Sequence, residues 1–362
     1  MLWLLGALTP IVVFALVLGL NYAVPGQDVD GYVEDETTGR PIRYRLNGLH
    51  VLVLVMLLYV VLGSTQLLPW DWFYQVRWPA VISACVVGLI YTCVLVLPVA
   101  PVTPSVVKDL FLGRTKNLQY FGRTDVKMYL YLAGAVLLAL NLVSFAAHHY
   151  LLFGPDSNPG VFVYTALLGF FLVDYLFFER VHLYTYDLFA ERVGFKLAWG
   201  CFVFYPFFYV VGLWGTAELP APAVIEGFAI GWLLLSALVF FSGWVLARGA
   251  NLQKYMFKRF PTRSFLGIAP ATLSAGNQAV LCSGFWGVAR HVNYLGEVLM
   301  ALGLTLALGH LTSPWPWLYP LYYVLLLFPR ERDDDRRCAE KYGLLWQRYK
   351  EKVRYRIIPG IY

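Results

Sequence analysis

Residues 127–147 read KMYLYLAGAVLLALNLVSFAA, an apolar run with no charged side chain after its first residue. A hydrocarbon core roughly 30 Å thick takes about 20 helical residues to cross. Comparable runs lie near 3–23, 46–68, 79–103, 159–178, 195–214, 224–247 and 294–312, with a shorter one near 316–329. Together they predict nine spans, and a half-span near 180–195 would make ten. In lipid every backbone polar group needs an internal partner, which favours helices. A barrel would instead alternate apolar and polar residues over about ten positions. The expected fold is therefore all-α, a polytopic integral membrane helical bundle of nine to ten transmembrane helices.

Composition agrees. Of 362 residues 59% are hydrophobic and 14% charged, against about 25% charged in soluble domains. Met1-Leu2-Trp3 enters apolar sequence without a basic n-region, so the first run reads as a span rather than a cleaved leader. The five cysteines form no C-x-x-C pair, and no H-E-x-x-H spacing occurs, so no metal site is expected. G-x-G-x-x-G, P-loop and G-x-S-x-G patterns are missing too, which excludes a Rossmann domain and requires any nucleotide to be held differently. No internal repeat or low-complexity linker divides 1–362, which reads as a single membrane domain.

The net charge of +6 is uneven. Between Arg248 and Arg290 stand Lys254, Lys258, Arg259 and Arg263, with no acidic residue. The positive-inside rule places this segment and the basic tail in the cytoplasm, and the same cations suit an anionic ligand. The stretch Glu179 to Lys196, ERVHLYTYDLFAERVGFK, puts ionisable residues between two apolar blocks. Such residues mark function by default, Asp187 foremost. The alternative is an interfacial connection with Tyr184 and Tyr186 in an aromatic belt.

Two C-terminal stretches carry the chemistry. Residues 284–297, GFWGVARHVNYLGE, open a span. A helix N-terminus offers free N–H groups and a positive dipole end to a phosphate. Trp286 and Tyr294 can stack on a flat ring, and Asn293 can satisfy an amide. From Arg330 the chain reads RERDDDRRCAEKYGLLWQRYKEKVRYRIIPGIY, with Asp334, Cys338, Lys341, Tyr342 and Tyr349 at helical spacings. A solvated amphipathic tail is the plain alternative, but the apolar ending points to docking.

These residues resemble a known family, the membrane sterol reductases acting at C14, C7 or C24(28), with the lamin B receptor as a relative. The resemblance covers nearly the whole chain. It rests on R-D-x-x-x-C-x-x-K-Y-G-x-x-W-x-x-Y…P-x-I-Y in the tail and G-x-W-G-x-x-R-H-x-N-Y upstream, with support from Arg43 to Leu49, Asp109 to Arg114 and Gly194 to Gly200. It implies an NADPH pocket near the C-terminus on the cytoplasmic side, with residues 248–362 as the cofactor portion and 1–247 as the bundle and sterol side. Carried over residue by residue, the cofactor contacts are Lys254, Lys258, Leu281, Trp286, Asn293, Tyr294, Asp334, Cys338, Ala339, Glu340, Lys341, Tyr342 and Tyr349. Three departures stand out. Lys258 replaces an arginine, Asp333 occupies the arginine position of the R-D pair, and Asn117-Leu118-Gln119-Tyr120 replaces L-N-P-R.

The activity implied is saturation of a sterol carbon–carbon double bond in sterol biosynthesis. An isolated alkene accepts hydride only once it is protonated, which calls for an acid, a dry site and aromatic faces. Tyr186 backed by Asp187, and Tyr349, are the candidate catalytic residues, since tyrosine is protonated at neutral pH. The tract 284–294 and the ending Pro359-Gly360-Ile361-Tyr362 lean toward the C7 reductases. The sterol is expected to enter sideways from the bilayer. Membrane lipid is then the surrounding partner, and nucleic acid plays no part. The host membrane is the endoplasmic reticulum in a eukaryote or the inner membrane in a bacterium. Two rivals are an isoprenylcysteine-methyltransferase-like enzyme, which shares an Arg-His tract before a helix pair, and a non-catalytic sterol-binding protein.

Overall fold

The computed structural model describes residues 1–34 and 39–362, apart from the side chain of Phe189. Residues 35–38 of the first hydrophilic connection lie outside the described residues. The chain forms two compact units, Met1–Pro220 and Ala221–Tyr362.

In the first unit the helix Val126–Phe153 is the axis, with most of its surface covered by protein. Its Ala133, Gly134, Ala135 and Ala139 are small enough for neighbours to come close. A Cβ on Gly134 would stand 2.8 Å from the Tyr205 ring and 2.9 Å from the Cys201 carbonyl oxygen. The helices Leu2–Ala23, Gly48–Ser64, Arg77–Val96 and Pro159–Phe177 pack around it or one another. The apolar run beginning at 195 is a helix Phe195–Trp199 that widens into a π-helical stretch, Gly200–Phe208. Pro206 inside that stretch has no N–H to donate. The buried Asn141 side chain donates to the Pro206 carbonyl at 2.8 Å, so the irregular backbone is satisfied inside the protein.

The connection 104–126 is tied down by Asp109 and Arg114. Arg114 Nε donates to Asp109 Oδ2 at 2.8 Å, and its guanidinium reaches the Val99 carbonyl at 2.6 Å and the Val96 carbonyl at 3.3 Å, closing the end of the Arg77–Val96 helix. Burial raises the Asp109 carboxyl, but Arg114, Thr103 and the Val102 and Thr103 N–H groups outweigh it and hold the carboxyl near about 2.

In the second unit the helix Ala223–Arg259 has 37 residues and a kink at Phe228. At 1.5 Å per residue it is roughly 55 Å long, so part of it projects beyond a hydrocarbon core about 30 Å thick. The basic residues Lys254, Lys258 and Arg259 sit at its end. Its main partner is the helix Val292–Leu308. The two backbones meet at glycines. A Cβ on Gly296 would fall 2.5 Å from both the Ala247 nitrogen and the Gly243 carbonyl oxygen, and one on Gly303 would fall 2.7 Å from the Phe240 nitrogen. This is the small-residue packing that membrane helices use in place of a hydrophobic drive. The apolar run near 316–329 opens the helix Leu318–Tyr342, whose second half is the charged tail. Gly343, at φ +52°, separates it from the last helix, Leu344–Lys352.

Among the described residues, five helices are long and apolar enough to cross a membrane, and the apolar helices Gly48–Ser64, Phe195–Phe208 and Val292–Leu308 are shorter. Helix is not the only regular structure. Antiparallel hairpins pair Gln27–Glu34 with Pro41–Leu46, Gln119–Tyr120 with Thr124–Asp125, and Thr272–Ala275 with Gln278–Leu281. All three lie in polar connections between apolar helices.

Gly296→Val places a branched side chain where the two backbones touch. Overpacking of this kind destabilises by about 1–3 kcal/mol. The expected result is a lowered midpoint for the purified protein in detergent, read by tryptophan fluorescence on heating. Gly227→Ala, at an open position, should leave it unchanged.

Candidate functional site

The second unit brings most of the C-terminal candidates together. Gln253, buried on the Ala223–Arg259 helix, anchors the loop before residue 286. Its Oε1 accepts the Phe285 N–H at 3.0 Å and its Nε2 donates to the Ser283 carbonyl at 3.2 Å. Gly284 between them has φ +60°, and a Cβ there would strike the Gln253 amide at 2.3 Å. One turn of helix, Phe285–Val288, then sets Trp286 in place. Trp286 Nε1 donates to the Ala250 carbonyl at 2.8 Å, and Lys254 Nζ stands 5.5 Å from the centre of its ring.

The tail closes on the same loop. Tyr349 donates its hydroxyl to the Trp286 carbonyl at 2.9 Å. Arg290 donates from its guanidinium to the Val353 and Arg354 carbonyls at 3.0 and 3.2 Å. The Arg290 and His291 N–H groups donate to the Tyr355 and Arg356 carbonyls at 3.0 and 2.7 Å. Trp346, Tyr349, Val353 and Cys282 form a buried cluster against which Cys338 and Tyr342 pack. The tail is thus docked rather than solvated. Burial pushes the Cys338 thiol up to about 12, and it also raises the Tyr349 hydroxyl.

The electrostatic centre is His291. Burial first, then Lys254, Arg290, Arg356 and Arg330, hold its imidazole down to about 3, so it is neutral at pH 7. It stacks on Tyr294. Asp334 Oδ2 lies 3.9 Å from its Nε2, beyond hydrogen-bond reach. Burial raises the Asp334 carboxyl, with Lys254 and Arg330 opposing. The buried Arg290 Nε, His291 Nε2 and Asn293 Oδ1 have no hydrogen-bond partner. Positive charge with unused donors and acceptors beside an indole fits an anionic, hydrogen-bonding ligand with a flat ring.

Of the residues carried over from the motifs, Lys254, Trp286, Asn293, Tyr294, Asp334, Cys338, Tyr342 and Tyr349 belong to this one region. Leu281 is buried at the end of the Gln278–Leu281 strand, and Lys258 is half-buried near the end of its helix. Ala339, Glu340 and Lys341 are exposed, although the Lys341 carbonyl accepts the Gln278 amide at 3.0 Å. Gln253, Arg330, Glu331 and Arg356 join the region without having stood out in the sequence. Glu331 is fully buried and accepts from Arg356 at 3.1 Å. In the sequence it looks like one more residue of a solvated charge run.

Tyr186 and Asp187 lie in the first unit, on the one-turn helix Tyr186–Phe189, and both are half-buried. Just upstream the buried Glu179 carboxylate accepts the Gly48 N–H at 3.0 Å, and burial lifts its carboxyl to about 7.

The His291 environment has a measurable sign. The folded protein keeps the imidazole uncharged down to about pH 3, whereas the ordinary value is 6.5. The unfolded chain therefore binds a proton first, and stability is lost as pH falls from 6.5 toward 3. Thermal midpoints in detergent should drop over that range in the wild type and flatten in His291→Gln. Parallel curves would contradict this environment.

Comparison with known proteins agrees with the motif reading. The sequence profile described as the ergosterol biosynthesis ERG4/ERG24 family matches residues 3–362. A Delta(14)-sterol reductase of Arabidopsis thaliana is 30% identical over 94% of this chain and 91% of its own length. One from Methylotuvimicrobium alcaliphilum is 35% identical over 70% of this chain and 58% of its own length. A probable 7-dehydrocholesterol reductase of Acanthamoeba polyphaga mimivirus is 30% identical over 90% of this chain and 74% of its own length. From its first span to its docked tail, the chain belongs to the ERG4/ERG24 family of membrane sterol reductases.

Proposed function

We propose that the protein saturates a sterol carbon–carbon double bond, with NADPH as the source of hydride. The observation that carries this reading is the cluster around His291. There Lys254, Arg290, Arg330 and Arg356 surround a neutral imidazole, next to Trp286 and unpartnered polar atoms. The cations and Lys258 would hold phosphate, Trp286 and Tyr294 would face flat rings, and Asn293 would take an amide. Lys258 acts as a point charge where an arginine would grip in bidentate fashion. When bound, NADPH supplies a hydride.

The chain itself supplies a proton and a dry surrounding. Tyr186 would give its hydroxyl proton to one alkene carbon and recover it from water afterwards, and the resulting cationic carbon would be open to the hydride that bound NADPH would supply. Tyr349 is the weaker candidate, because its hydroxyl is committed to the Trp286 carbonyl and almost fully buried. Its role is to hold the tryptophan loop.

The apolar helices support an integral membrane protein. We take the three shorter apolar helices and the start of Leu318–Tyr342 as completing nine spans, with the C-terminus in the cytoplasm and the sterol entering from the bilayer. C14 is the favoured position of the double bond, because the Arabidopsis and Methylotuvimicrobium relatives carry that name. C7 is the second reading, favoured by the mimivirus relative and by the ending Pro359-Gly360-Ile361-Tyr362.

The test is NADPH oxidation by protein purified in detergent, given a Δ14, a Δ7 or a Δ24(28) sterol in turn, with mass spectrometry of the product. Turnover of the Δ14 sterol is expected. Trp286→Ala should weaken NADPH binding by about 1–3 kcal/mol, the range for losing a stacked aromatic. Tyr186→Phe should abolish turnover and leave that binding intact. Absence of NADPH binding in the wild type would overturn the proposal and favour a methyltransferase-like or non-catalytic role.

A further inference from the structure

We propose that Lys127 is the positioning residue for the acid of this reaction, its ammonium gripping the Tyr186–Glu191 turn by the backbone. The inference rests on the reading that Tyr186, backed by Asp187, protonates the alkene.

Lys127 lies in the first turn of the Val126–Phe153 helix and is 1% exposed. Its Nζ donates to the Leu188 carbonyl at 2.6 Å, the Glu191 carbonyl at 3.1 Å and the Asp187 carbonyl at 3.4 Å. An ammonium has three N–H groups, and three carbonyls take them. Those carbonyls need it. The helix Tyr186–Phe189 is four residues long, and a helix that short leaves nearly all its carbonyl groups without intrahelical partners. The Tyr186 carbonyl accepts the Ala190 N–H at 2.9 Å, and the Lys127 ammonium takes the next ones along.

Two features set this lysine apart from ordinary packing. A buried ammonium costs far more than a methionine of the same length would. It also stands at the positive end of the helix dipole, where a cation is disfavoured. The surroundings offset part of these costs. The Asp125, Asp187 and Glu191 carboxylates all attract it, and Lys116 is the cation that opposes it. Asp125 caps the same helix through the Met128 N–H at 3.0 Å. The charge therefore sits where it can hold one short turn, and that turn bears Tyr186 and Asp187.

The experiment uses the full-length enzyme in detergent, with Lys127→Met and Lys127→Arg. Misplacing a reacting group slightly costs up to a hundredfold, so K127M should lower kcat by about tenfold or more. Its NADPH Kd should stay within about twofold of wild type, because the loss is confined to the chemical step. Amide exchange at 188–191 should speed up in K127M, and the solvent deuterium effect on kcat should rise as proton transfer becomes limiting. K127R, which keeps charge and donors, should recover most of the rate. Wild-type kcat in K127M would overturn the proposal. Equal loss of NADPH binding and thermal stability in both variants would overturn it too, by making Lys127 a general packing residue. The acid assignment fails separately, if Tyr186→Phe and Asp187→Asn both turn over at the wild-type rate. The K127M rate and exchange then decide the clamp alone.

Discussion

Backbone groups that enter a bilayer must find partners within the chain, and the departures from helix in this protein are arranged around that constraint. At several places where a helix ends or loosens, a polar side chain from another element supplies the missing donor. Asn141 serves the π-helical stretch at Pro206, and Tyr164 donates to the Tyr209 carbonyl just beyond it. Arg114 donates to the Val96 carbonyl at the end of the Arg77–Val96 helix. Lys127 serves the turn at 187–191, and Arg290 the tail at 353–354. Left unpaired, each such carbonyl would weigh against the fold by about 1–3 kcal/mol.

The same arrangement gathers the polar side chains. Irregular backbone inside a membrane protein persists where other groups satisfy it, and this is also where polar side chains gather. In the second unit the glycine contact between Ala223–Arg259 and Val292–Leu308 sets the distance between two helices. That distance lets Gln253 organise the Ser283–Phe285 loop and lets Trp286 reach the Ala250 carbonyl. The tail then adds Arg330, Asp334 and Arg356 around His291. Part of the positive charge of this cluster is spent on backbone carbonyls and on Glu331.

The sequence carried the helices but not their ends. Every long apolar run is occupied by helix, yet the run read as 79–103 stops at Val96, where Pro98 and Pro101 follow. The run read as 224–247 continues to Arg259, because polar residues with good helix propensity extend a helix past the hydrocarbon. The π-helical stretch had no separate signal, since periodicity cannot distinguish it from an apolar helix. The tail was legible as a docked element from its apolar ending, and Tyr349 and Trp346 are buried as that reading requires. Glu331 and Lys127 were not legible. A lysine at the edge of an apolar run looks like an interfacial anchor, and an acid in RERDDD looks solvated.

By itself, then, the sequence determined a helical membrane protein, its family, and the C-terminal residues that gather around His291. Those properties follow from composition, run length and motif spacing, which are local along the chain. The tertiary structure decided which charges are buried and which donors serve backbone. It also decided that Tyr349 holds the Trp286 carbonyl and that Lys127 grips the turn bearing Tyr186. Burial and hydrogen bonding depend on elements distant in sequence, so a residue's charge alone does not say whether it meets water, a carbonyl or a substrate.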